Sequence, residues 1–135
     1  MTKHALAPCL GIPVVYDPGL KNISDSRGIW RWKKIVIGPN FAKLSEREQG
    51  AVLLHEAGHC LLRHLEKRLT MTWLVLVNPE KLLRLCINQE YEADQFAAVR
   101  GYGDGLVKLF CRMENADGTF HPELSSRIAR LQKGD

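Results

Sequence analysis

The sequence predicts an α+β protein, with a small N-terminal sheet followed by a succession of helices. Three observations carry this. The first forty residues or so hold short β-branched apolar runs bounded by Gly and Pro, the pattern of short strands. From Ser45 onward, helix-start residues recur ahead of long segments that lack such breakers. Between them, Ala51–Leu62 is almost unbrokenly apolar apart from His55, Glu56 and His59, which suits a helix buried on nearly every side. The 135 residues are enough for one domain, 1–135, with a modest core.

Taken in order, residues 12–16 (Ile-Pro-Val-Val-Tyr) and 35–37 (Ile-Val-Ile) read as strands, and Ile29-Trp-Arg-Trp32 alternates as a half-exposed strand does. Asp17-Pro-Gly19 and Gly38-Pro-Asn40 are turns. Ser45-Glu-Arg-Glu48 is a capping box. It starts a helix that is expected to run to about Lys67, its basic tail Arg63–Arg68 lying at the negative end of the dipole. His64 belongs to that tail and reads as a solvated or capping residue. Thr70–Val77 is apolar but far shorter than the roughly 20 residues a bilayer span needs. It is expected to pack over the domain or against a second chain, with peripheral membrane contact through Met71–Val77 as the rival. Asn78-Pro79 opens a second long helix that stops at Gly101. Asp104 can cap a third through Asn115, and Pro122 opens a fourth through Gln132. No repeat or low-complexity tract interrupts the series.

Composition narrows the function classes. A net charge of +4 is a weak pull toward anionic partners and is as well explained by solubility. Basic residues surround two tryptophans in Arg27-Gly-Ile-Trp-Arg-Trp-Lys-Lys34, which could stack on bases. No nucleic-acid motif accompanies them, and nucleic acid is not expected as a partner. Cys9, Cys60, Cys86 and Cys111 form no Cys-x-x-Cys pair, so a cysteine zinc ribbon is unsupported. The first eight residues lack the apolar stretch of a secretory signal. Reduced, mostly buried thiols in a cytoplasmic protein are the expectation.

The chemistry concentrates in His55-Glu-Ala-Gly-His59. Residues four apart on a helix share a face, so both imidazoles can reach one metal ion. Glu56 would stand beside that metal, placed to take a proton from an attacking water. An apolar helix does not bury two histidines and a glutamate without partners, since each uncompensated buried charge costs several kcal/mol. A tetrahedral catalytic zinc needs one more protein ligand. Glu90 and Asp94, four apart on the second long helix, supply a ligand and a carboxylate for the outer nitrogen of a histidine, expected to be His55. Glu92 points away from that face. Gly58, Ala93 and Ala97 are small enough for the two helices to cross closely.

Together, His55-Glu-Ala-Gly-His59 and Glu90-Tyr-Glu-Ala-Asp94 resemble the gluzincin metallopeptidases. More narrowly the chain resembles the family of the CAAX prenyl endopeptidases and bacterial heat-shock membrane proteases. Arg100-Gly-Tyr-Gly-Asp-Gly-Leu106 is similar to the loop after that family's glutamate helix, and His121-Pro-Glu-Leu-Ser-Ser-Arg-Ile128 to its C-terminal motif. Relatives of that kind carry membrane-spanning helices; this chain looks like the bare catalytic core, similar in size to minigluzincins. The resemblance implies a zincin-like fold, one zinc per chain, and hydrolysis of peptide bonds in a polypeptide substrate. It also implies that His121 donates to the oxyanion, where the residues alone equally suggest a helix cap before Pro122, and that Arg127 holds the site together. Asn22 stands where the family has an Asn-Ala pair that anchors substrate. An extended substrate would then lie along Ile29–Lys33, beside Trp30 and Arg31. Two rivals remain: a regulatory metallopeptidase of the repressor-cleaving type, and a peptidase-like zinc protein that serves as a binding module.

Overall fold

The apolar runs at 12–16 and 35–37 become neighbouring parallel strands at the centre of a four-stranded sheet. A computed structural model of the chain describes residues 4–116 and 122–133. Strands β1 (His4–Cys9), β2 (Ile12–Tyr16), β3 (Ser24–Arg27) and β4 (Lys34–Ile37) lie in the order β1-β2-β4-β3. β2 and β4 pair in parallel, Val14 opposite Ile35 and Tyr16 opposite Ile37, while β1 and β3 pair antiparallel on the outside. Ile35, Val36 and Ile37 are all buried, as a central strand covered on both faces requires.

The edge strand β3 is not the one expected. Ile29–Trp32 does not form a strand: Trp30–Trp32 is a 3-10 turn, and Ser24-Asp-Ser-Arg27 pairs with β4 in its place. The alternation at 29–32 belongs to a tight reversal that throws both indoles outward, Trp30 being 64% exposed. Gly28 (φ 86) and Trp30 (φ 53) both adopt left-handed backbone there. A Cβ on Gly28 would lie 2.1 Å from the Trp32 carbonyl oxygen, so the turn closes only around glycine.

Six helices follow: α1 (Glu46–Leu61), α2 (His64–Met71), α3 (Leu74–Val77), α4 (Pro79–Val99), α5 (Gly103–Ala116) and α6 (Pro122–Gln132). The capping box at Ser45 and Glu48 is complete, and Asn78 caps α4 by accepting from the Lys81 amide at 3.2 Å. The first long helix is shorter than its pattern suggests. It stops at Leu61 rather than near Lys67, because Arg63 takes a left-handed conformation (φ 59, ψ 40) and turns the chain into α2. That backbone costs on the order of 1–2 kcal/mol for a residue with a Cβ. Tertiary contacts of the residues beyond it offset the cost. Lys33 donates to the Cys60 carbonyl at the end of α1 and pairs with Glu66 of α2 at 2.8 Å.

Helix α1 is the spine. One side, through Val52, Ala57 and Cys60, packs on Ile12, Val14, Ile35 and Ile37 of the sheet. The other side meets Ala97, Leu106 and Phe110 of α4 and α5 through Ala51, with Ile128 of α6 behind them. Glycines set the close approaches. A Cβ at Gly58 would sit 3.0 Å from Phe96 Cβ and 3.3 Å from Ala93 Cα, and one at Gly105 would sit 2.7 Å from the Arg47 carbonyl oxygen.

The short helix α3 packs on the domain through one neighbour of Trp73 and leaves the rest of the segment outward. Leu74 alone is buried at 4% exposure, whereas Trp73 is 59% and Leu76 87% exposed. A four-residue helix between two turns presents one face inward, and here that face is a single side chain wide. No helix among the described residues is long and apolar enough to cross a membrane.

Candidate metal centre

The crossing of α1 and α4 brings His55, His59 and Glu90 together, one ligand atom of each lying within 4.8 Å of the others. The Nε2 atoms of the two imidazoles are 3.1 Å apart. Glu90 spans them, Oε2 standing 3.2 Å from Nε2 of His55 and Oε1 3.4 Å from Nε2 of His59. Bonds of about 2.0–2.1 Å to the corners of a tetrahedron put ligand atoms about 3.3 Å apart. The two imidazole nitrogens stand 3.1 Å apart and each faces a different oxygen of Glu90, at 3.2 and 3.4 Å, spacings of the same size, with two imidazoles and one carboxylate as the donor set. Such a donor set is one that zinc accepts.

The outer nitrogen of His55 faces Asp94, Nδ1 standing 2.9 Å from Oδ1, although the approach is not aligned as a hydrogen bond. Asp94 is held in turn by Arg127 of α6, whose Nε and Nη2 donate to its two oxygens at 2.6 and 2.7 Å. Burial alone would raise the Asp94 carboxyl. The Arg127 fork and His55 outweigh it and hold the group below the usual carboxylate range. Glu90 behaves likewise: burial opposes its charge, but His55 and His59 keep it well below that range. His55 is the converse case. Burial disfavours its cation, yet Asp94 and Glu90 prevail and raise it to about 9. Arg127 also reaches to 3.4 Å from Glu90 and lies over the Phe110 ring, so it sits between the two carboxylates of α4 on a packed support.

Two residues of the site have no part in the expectation from sequence. The first is Ser24, at the start of β3, whose hydroxyl donates to Oε1 of Glu56 at 3.1 Å. The second is His64. Far from being a solvated tail residue, it is 1% exposed, and its Nδ1 lies 2.8 Å from Nδ1 of His59. Burial first, then the charges of His59, Lys67 and Arg68, push it down to about 4, so it is neutral at neutral pH. Ser24 is hidden in a polar tetrapeptide with no strand pattern. His64 is hidden because a continued helix would carry it away from His59, and only the Arg63 kink brings it back.

Clefts open on both sides of the cluster. One of ≈ 380 Å³ has apolar walls from Val52, Leu109, Phe110 and Met113, with Asn22 and Ser24 at its rim. The other, ≈ 280 Å³, is polar and lined by Ser24, Asp25, Ser26 and Arg68. His55, Glu56 and Glu90 line both. The remaining expected site residues fall as follows. Asn22 is on the apolar cleft, Trp30 and Arg31 line neither cleft, and His121 lies outside the described residues. Arg31 instead stacks over Trp32 at 4.8 Å. Glu92 is half-exposed, as expected, yet its Oε1 comes within 3.5 Å of Nε2 of His64. All four cysteines are free thiols and none joins the cluster. Burial and the nearby Glu56 raise Cys60 to about 11, which makes it inert.

No family model, curated protein or solved structure matches the chain.

Proposed function

We propose that the chain is a zinc-dependent endopeptidase of the gluzincin type, with His55, His59 and Glu90 as the metal ligands and Glu56 as general base. The observation that carries this reading is the His55–His59–Glu90 cluster with Glu56 on the same two clefts. A zinc ion bound there would polarise a scissile carbonyl and acidify the attacking water. Glu56 accepts the proton of that water and returns it to the leaving amine. Ser24 occupies Oε1 of Glu56, which orients the carboxylate and leaves its second oxygen for the proton. Asp94 and Arg127 act on His55, the aspartate turning its outer nitrogen and the arginine keeping the aspartate charged. His121 is retained from the sequence resemblance as the candidate oxyanion donor.

The substrate this arrangement suits is an extended polypeptide. β3 is an edge strand, paired with β4 on one side only, and it borders both clefts. A peptide adding to its free edge would have its backbone held by main-chain hydrogen bonds, with side chains dropping to either side of Glu56. That edge, rather than Ile29–Lys33, is the docking line. The apolar cleft takes an apolar side chain and the opposite cleft a polar one. Peripheral contact with anionic lipid belongs to the same proposal, because Trp73, Leu76 and Val77 are exposed in the segment between the exposed Lys67 and Lys81.

The deciding experiment is cleavage of an unfolded protein such as casein by zinc-loaded wild type and Glu56→Gln. The variant is expected to keep its zinc and its fold while losing nearly all turnover. Equal activity in the two would remove Glu56 as base, and a zinc-loaded wild type inert on every unfolded substrate would favour the binding-module reading.

A further inference from the structure

The ligand histidines are supported in two different ways, and the support of His59 is the unexpected one. Its outer nitrogen meets no carboxylate; it meets the imidazole of His64 at 2.8 Å in a dry interior. Such a nitrogen–nitrogen contact is stable only if it holds a single proton, because two would collide and none would set lone pair against lone pair. One ring must donate and the other accept. If His64 donated, a neutral His59 would carry its own proton on Nε2, the atom that faces His55 and Glu90, and could not ligate. If His59 donates, its Nε2 lone pair is free.

The surroundings of His64 select the second arrangement. Its far nitrogen, Nε2, is buried and forms no hydrogen bond, and it stands 3.5 Å from the carboxylate of Glu92. A carboxylate favours an N–H there over a lone pair, so the proton of His64 sits on Nε2 and its Nδ1 is the acceptor. The charges of Lys67 and Arg68 also act on His64, but Arg68 is turned onto Gln89. The ring is also clamped in place. Gln89, fully buried on α4, donates to the His64 carbonyl at 3.1 Å and accepts from Arg68, tying the start of α2 to the glutamate helix. The left-handed Arg63 makes the turn that delivers it.

We propose that His64 is a positioning residue of this centre: its Nδ1 accepts from the Nδ1–H of His59 and so commits the Nε2 of His59 to the metal, with Glu92 holding the His64 tautomer from the solvent side. This rests on the proposed ligand set. It makes the centre asymmetric, one histidine backed by a carboxylate–arginine pair and the other by a neutral imidazole that ends at a half-exposed glutamate.

The test is zinc affinity by competition with a chromogenic chelator for wild type, His64→Leu and His64→Asn, with the thermal melt of each metal-free protein beside it. Leucine fills the space without an acceptor and should weaken zinc roughly 10- to 100-fold. Asparagine places an amide oxygen where Nδ1 was and should restore affinity to within a few-fold. Unchanged affinity in His64→Leu overturns the role of His64 and leaves the ligand set standing, whereas a wild type that takes up no zinc overturns the ligand set itself. Equal losses in both variants, with wild-type melts, would also sink the acceptor role. Should the leucine variant not fold, long-range ¹⁵N–¹H spectra of the zinc-loaded wild type decide directly: Nδ1–H on His59 and Nε2–H on His64 are expected, and Nδ1–H on His64 overturns the proposal.

Discussion

Glu90 carries the only negative charge in the proposed ligand set, and it is also the residue that bridges the two imidazoles. Glu90→Gln keeps the shape and removes the charge, so zinc affinity is expected to fall by tens-fold or more, measured by chelator competition. Arg127 is a different kind of support. It is buried, and its fork is the main counter-charge of a buried Asp94. Arg127→Met should cost about 3–5 kcal/mol in urea unfolding, since it strands a carboxylate in the interior. The double variant Arg127→Met/Asp94→Leu is expected to recover most of that stability but not the zinc affinity, because the outer nitrogen of His55 then loses the carboxylate that faces it. Recovery of both would show that the pair acts only on folding.

At the scale of elements, the site depends on how closely α1 and α4 cross. Gly58 faces Ala93 and Phe96 so closely that a methyl group there would press on both and force them back by a few tenths of an ångström. Gly58→Ala is expected to destabilise the protein by about 1–3 kcal/mol and to weaken zinc by spreading Glu90 from the histidines; a melt and a chelator titration read the two effects separately. The start of α1 carries a pH dependence. Glu48 is buried, accepts from the Ser45 amide and hydroxyl, and is paired with Arg112 of α5. Burial opposes its charge, but Arg112 and Ser45 prevail and lower its carboxyl below the ordinary 4.5. A carboxyl depressed in the folded state contributes stability that is present above its unfolded value and lost as pH falls through the folded one. Wild type should therefore lose stability below about pH 4.5 more steeply than Glu48→Gln does, as denaturation midpoints across that range would show. Ser45→Ala, which removes the cap and the hydroxyl bond to Glu48 but leaves the Arg112 pair, should cost about 1 kcal/mol.

For the whole molecule the open question is the apolar ridge from Leu69 to Val77. Several large side chains stand in solvent there, held to the domain through Leu74, and exposed apolar patches of this kind mark surfaces that meet a partner. Lys67, Lys81 and Arg84 are exposed on the flanking helices, and each would add about 1 kcal/mol near an anionic membrane. Wild type is expected to co-sediment with anionic vesicles at physiological salt, and Trp73→Ser to abolish most of that binding. Vesicle binding absent at all salt concentrations, with a concentration-dependent dimer in its place, would assign the ridge to a second chain.

How much of this was legible in the sequence depends on the range of the interactions involved. The capping box, the Asn78-Pro79 helix start, the limits of α6 and the spacing of His55, His59, Glu90 and Asp94 follow from contacts within a few residues or from helical periodicity. Sequence records such terms directly. The apolar pattern also marks β2 and β4, because a central strand is buried whatever its neighbours are. By contrast, β3 is a strand only because the β4 edge stands ready to pair with it, and Ser24-Asp-Ser-Arg27 has no local preference that announces this. His64 needed the break at Arg63, a backbone state of higher local energy that is maintained by Lys33, Glu66 and Gln89 from other parts of the chain. The residues of the candidate centre could therefore be read along the chain, while the neighbours that meet them, Ser24 at Glu56 and His64 at His59, were decided by tertiary structure, where burial and long-range hydrogen bonds outweigh local propensity.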